Sequence, residues 1–303
     1  MHFVRQDLVD HQKTLRVVRR EFLLIAAGLI AASAVRKAWA AEDAVSVLKK
    51  YNGLIAELDR HPNFVTATRG VKEYLSAGVG LEAAPTQAAP SSTKISARAT
   101  DLLIRFEVSG EQVYERRYRV PTWPGGRSGV TIGIGYDLGY ATPYAIRKDW
   151  QDYLSQADAA QLAAASGITG NQAKQYLKSF KRSHIPYSVA KKQFLQIMQP
   201  RYVGITERAL PNFNELNEDC RGALVSLVYN RGASFNIPEA KDPMGRYAEM
   251  RAIKQSMATR EYSGIPAHIN AMARLWDQDK GMHGLVLRRN LEATLFLVGL
   301  QTM

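Results

Sequence analysis

Glu107 stands in the run SARATDLLIRFEVSG, between Phe106 and Val108 and three residues before Gly110. Apolar positions recur through that run at helical spacing, and Gly just past the last of them is a stop signal, so the spacing predicts a helix ending beside the carboxylate. A helix C-terminus carries partial negative charge and disfavours an ionised acid, and partial burial works in the same direction. Glu107 is thus placed as a proton donor. Such a donor facing a second carboxylate that stays ionised is the pairing that breaks a glycosidic bond. Asp137 supplies that carboxylate in GVTIGIGYDLG (129–139), where Val130, Ile132, Ile134 and Tyr136 alternate with Thr131, Gly133, Gly135 and Asp137. Alternation predicts a strand with the last four on one face, and two glycines there leave room for a ligand to approach the backbone. Glu115, in ERRYR, is a reserve second carboxylate on what reads as a solvated strand face.

Positioning these groups takes a helix, short strands and then many helices. Tyr118 and Val120 before PTWPGGRSG, with Val130, Ile132 and Ile134 after it, predict a strand, an irregular turn and a second strand. From residue 143 onward the patterning is helical. Cys220, Ala223, Leu224, Leu227 and Val228 form a stripe in NEDCRGALVSLVYNRG, and Leu287, Leu291, Leu295 and Val298 form another in GLVLRRNLEATLFLVG. Residues 97–303 are therefore expected to form one compact α+β domain. Ahead of it, 79–96 reads as an Ala/Pro/Ser/Thr linker and 41–78 as a helical segment. Residues 1–40 read as a signal peptide: VRREFLL resembles a twin-arginine export signal, an apolar run follows, and Ala38-Trp39-Ala40 is a small-x-small cleavage site. That reading implies export to the periplasm or beyond, with transient membrane contact through the signal segment.

Several chemistries lack their motifs. Gly133-x-Gly135 is followed by Leu138 where a dinucleotide fingerprint needs its third glycine. There is no phosphate loop, HExxH, GxSxG or paired Cys/His spacing, so neither a metal nor a cofactor is expected. Cys220 is the single cysteine and belongs to an apolar stripe, where it reads as a core residue. The formal net charge is +12, of which residues 1–40 contribute +4, leaving +8 on the rest. Such a protein is drawn to anionic polymers, cell wall or nucleic acid alike. No nucleic-acid motif accompanies the charge, so nucleic acid is not an expected partner.

An acidic residue ending a helix, a short hairpin and then T-[IV]-G-x-G resemble the phage-type lysozymes, which cleave bacterial peptidoglycan. The T-even pattern has Asp nine residues after its Glu, where this chain has Arg116. The spacing is more similar to that of the bacteriocin pesticin and related muramidase domains, with Asp six residues beyond the Thr, as Asp137 follows Thr131. ALVSLVYNRG (223–232) resembles the central helix of these lysozymes and GLVLRRNLEATLF their closing helix. The resemblance implies a lysozyme-like fold, a small β-hairpin lobe on a larger, mainly helical lobe. It also implies an endo-N-acetylmuramidase that cleaves the MurNAc–GlcNAc bond of peptidoglycan glycan strands without a cofactor. Glu107 would be the general acid, Asp137 would stabilise the sugar cation or activate water, and Thr131 would hold water or sugar. Gly133, Gly135, Tyr136, Asn230 and Arg231 would line the substrate site. Two alternatives stand beside it: a lytic transglycosylase and an inactive peptidoglycan-binding scaffold.

Overall fold

The computed structural model describes residues 43–61, 63, 88–180, 183–276 and 280–303. The expected signal peptide, 1–40, and the first part of the expected linker lie outside the described residues. Within the expected helical segment, α1 (Ala44–Arg60) buries Val47, Tyr51 and Leu58, the apolar stripe of an amphipathic helix. Residues 88–96 run along the body of the protein: Ser91 N–H donates to the Pro200 carbonyl, and the Thr93 hydroxyl donates to Glu207.

α2 (Ala97–Val108) starts where Ser96 caps it, its hydroxyl oxygen accepting the Ala99 N–H at 3.0 Å. It stops at Ser109, which takes a left-handed φ of 61°. Glu107 therefore lies in the last turn, as the sequence predicts. The next stretch departs from expectation, because residues 111–117 form the short helix α3 (Glu111–Arg117) where a strand was expected around Tyr118 and Val120. Seven residues are too few to show a period, and a tertiary contact holds this turn: Tyr114 is buried and its hydroxyl donates to the Ile185 carbonyl. Just beyond that stretch, Thr122 forms a bridge with Thr131.

The expected continuous strand of 129–137 is folded in half. β1 (Thr131–Ile132) and β2 (Tyr136–Asp137) pair antiparallel, with Thr131 opposite Asp137 and Ile132 opposite Tyr136. The reversal runs through Gly133 and Gly135, at φ 54° and 77°, conformations that cost side-chain-bearing residues energy. Thr131 and Asp137, which would stand about 20 Å apart on a straight strand, become cross-strand neighbours.

The rest is helical: α4 (Pro143–Trp150), α5 (Gln156–Ala163), α6 (Gly170–Tyr176), α7 (Tyr187–Gln193), α8 (Gln199–Ala209), α9 (Glu218–Arg231), α10 (Ala248–Thr259), α11 (Ile265–Ala271) and α12 (His283–Leu300). α7 and α8 are joined by a widened turn at Phe194–Met198. α9 is the pillar of the core, with residues buried on every face, and α12, α2 and α8 pack around it. The approach to α2 is close: a Cβ added at Gly222 would lie 2.0 Å from that of Ala99. α1 packs against α12. The described residues are thus mostly helical with one small antiparallel hairpin, an α+β architecture.

Candidate active site

Glu107, Gly135, Tyr229 and Arg288 meet where α2, the hairpin, α9 and α12 converge. A Cβ placed on Gly135 would lie 2.7 Å from Glu107 Oε2 and 2.9 Å from the Tyr229 hydroxyl, so the turn fits here only because it has no side chain. Tyr229 donates to the Ile134 carbonyl at 2.8 Å and so ties α9 to the hairpin turn. Its ring lies 4.1 Å from that of Tyr202 on α8, which fixes the phenol in place.

Arg288 holds the other side of the carboxylate. Its Nη1 faces Glu107 Oε1 at 3.3 Å, and both side chains are about 95% buried. The rest of the guanidinium is spoken for: Nε donates to Glu292 Oε1 at 3.1 Å, and Nη2 donates to the Ser226 carbonyl at 3.0 Å and its hydroxyl at 3.2 Å. Phe106, beside Glu107, places its ring 5.0 Å from the guanidinium carbon. Buried charges persist only when paired and hydrogen-bonded, and this network satisfies both conditions. Sequence reasoning missed Arg288. The available signal was a pair of arginines with Glu292 one turn on, inside an otherwise apolar helix, a pattern that needs internal partners.

Thr131 and Asp137 come together across the hairpin, and both are buried. The Asp137 carboxylate accepts the Gly129 N–H through both oxygens at 3.1 Å and the Gly139 N–H at 3.0 Å, which closes the mouth of the hairpin. Thr131 hydroxyl lies 3.5 Å from the Gly129 carbonyl. Gly133 turns its α-carbon toward α4, where an added Cβ would lie 2.9 Å from the Trp150 ring.

The other expected ligand contacts are placed inward. Tyr136 donates to Asp149 Oδ2 at 2.9 Å, and Asp149 is in turn paired with Arg201. Burial, and then the adjacent carboxylate, push the Tyr136 phenol far up, so it stays protonated as that donor. Asn230 accepts from Arg289 at 3.2 Å. Arg231 is fully buried, with its guanidinium carbon 5.6 Å from the Tyr247 ring and 5.5 Å from the Trp276 ring, and donates to the Arg246 carbonyl. Glu115, the reserve carboxylate, accepts the Tyr187 N–H at 2.7 Å, where it serves the first turn of α7. Among the described residues no cluster of three or more His, Cys, Asp or Glu side chains is arranged to hold a metal ion.

Residues 103–210 match the model of a family described as a domain of unknown function, DUF8812. The match takes in Glu107, the hairpin and Asp149 with Arg201, but stops short of Tyr229 and Arg288. No curated protein matches the chain.

Proposed function

We propose that the chain is an exported peptidoglycan hydrolase of the phage-type lysozyme kind, an endo-N-acetylmuramidase with a lysozyme-like fold. The observation that carries this reading is the seat of Glu107. Its carboxylate sits at the end of a helix, against Gly135 of the hairpin turn, with a fixed counter-charge behind it. A group so held presents one oxygen in a constant direction, and the guanidinium stabilises the carboxylate that forms as the proton passes to the leaving sugar.

In the forward step Glu107 gives its proton to the bridging oxygen as the anomeric C–O bond breaks. The departing sugar leaves with a new hydroxyl, and Arg288 balances the carboxylate left behind. Positive charge on the remaining ring is offset by Asp137, one strand away from Thr131. Water held at Thr131 adds its oxygen to the anomeric carbon and releases a proton to a carboxylate. The substrate is the glycan strand of peptidoglycan, and no cofactor enters the reaction. Residues 1–40 supply the export route to the periplasm or beyond.

One observation favours a second reading. The Asp137 carboxylate already accepts two backbone N–H groups, that of Gly129 through both oxygens and that of Gly139, which suits a structural clamp, and in that case Glu107 acts alone. The sugar's own hydroxyl would then close on the anomeric carbon and give its proton to the Glu107 carboxylate, as in a lytic transglycosylase, leaving a 1,6-anhydro end.

The test is digestion of purified peptidoglycan by the full chain, with products read by mass spectrometry beside Glu107→Gln and Asp137→Asn. The expected result is muropeptides with reducing ends, lowered at least ~100-fold in Glu107→Gln. Anhydro products that survive Asp137→Asn select the second reading. Binding of peptidoglycan without any product removes the enzyme and leaves a scaffold.

A further inference from the structure

Next to the hairpin lies a cluster of rings and cations that the proposed mechanism does not use. Thr122 and Thr131 exchange backbone hydrogen bonds at 2.9 and 2.7 Å, so Trp123 is fixed one residue from the hairpin edge. Its indole N–H donates to the Ser128 carbonyl at 3.1 Å, and the ring is only half-buried. The loop that carries it is stitched to α6, since Gly170 N–H donates to the Ser128 carbonyl at 2.9 Å. From α6 the exposed Lys174 reaches over the indole, its ammonium 5.6 Å from the ring centroid. On another side the Tyr140 hydroxyl donates to the carbonyl of exposed Arg127 at 2.6 Å. Three segments thus bring two aromatic rings and two cations to one surface beside Thr131 and Asp137.

We propose that Trp123 and Lys174 form a subsite for a sugar that bears an anionic substituent, the muramyl residue with its carboxylate-rich peptide stem. The argument rests on the glycan-cleaving reading above and names which part of that substrate is held. An indole anchored by its N–H offers a rigid apolar face about the size of a pyranose ring, at little entropic cost. A surface cation above a ring gains only about as much as an exposed ion pair, so Lys174 can exchange the indole for an incoming carboxylate. That exchange uncovers the ring as it fixes the charge. Arg127 adds positive potential to the same rim.

The experiment measures kcat and KM of the full chain on intact sacculi and on glycan strands stripped of their peptides, for wild type, Lys174→Gln, Trp123→Phe and Trp123→Ala. Lys174→Gln is expected to raise KM about fivefold on intact sacculi, leave it unchanged on stripped strands, and leave kcat unchanged on both. Trp123→Ala should raise KM on both substrates, with Trp123→Phe between it and wild type. Unmoved KM in Lys174→Gln overturns the subsite, as does a rise of equal size on stripped strands. Should Trp123→Ala lower the melting temperature, Lys174→Gln decides the matter, because that side chain is exposed. If wild type cleaves neither substrate, the glycan-cleaving reading itself fails and takes this one with it.

Discussion

Arg288 touches four residues, and removing it would take the counter-charge from buried Glu107, while Glu292 keeps Arg289 and the Ser226 hydroxyl. Breaking a buried pair by deleting one partner costs about 3–5 kcal/mol, so Arg288→Ala is expected to lower the unfolding free energy by that order. Denaturant titration of the purified variant checks it, and a loss under 1 kcal/mol would mean the network is dispensable. Gly135→Ala is a sharper probe of the site. A methyl group there collides with Glu107 Oε2 and the Tyr229 hydroxyl on a backbone at φ 77°, so activity should fall at least tenfold with the circular dichroism spectrum retained. Wild-type turnover in Gly135→Ala would detach the hairpin turn from the chemistry. At this scale the place of Glu107 at a helix end was legible in the sequence, because its neighbours and spacing are local. Arg288 was invisible for the opposite reason: it is 181 residues away from its partner, and only the fold makes it relevant.

Among the elements, α2, α9 and α12 were legible from period and stop signals, since burial leaves a mark on every turn of a long helix. The hairpin was only half legible. Glycine at a straight strand position and glycine at a positive-φ turn look the same in sequence, so VTIGIGYD read as a strand in which a turn near Gly135 was required only if Thr131 and Asp137 were to serve one sugar. α3 was lost to its shortness, and its stability comes from Tyr114 reaching Ile185. α1 makes a prediction of its own. It rests three buried side chains on the domain and adds an ion pair from Asp59 to Arg105 and a contact of 3.7 Å between Glu57 and His283. Each such side chain is worth about 1.5–3 kcal/mol on burial, so deleting residues 1–61 should lower the melting temperature by roughly 10 °C. An unchanged melting curve would show α1 to be a passenger.

For the molecule as a whole, the surface network of Arg260, Glu215 and Tyr262 adds a pH dependence. Hydrogen bonds from Arg260 and then Tyr262 hold the Glu215 carboxyl down at about 2, against the usual 4.5. A group depressed on folding stabilises above its unfolded value, and that contribution fades as pH falls from 4.5 through about 2. Glu215→Gln should therefore melt below wild type at pH 7, with the gap closing only between about pH 4 and pH 2. A gap already closed at pH 6 would contradict the assignment. The joining of Glu107 to Arg288 also has a consequence in time. A nascent chain that has emerged as far as the hairpin already contains the acid, the turn and Thr131, yet the residue that anchors the acid has still to be synthesised. Contacts this distant along the chain form late in folding. Copies that end before the last helix therefore carry Glu107 without the guanidinium that holds it.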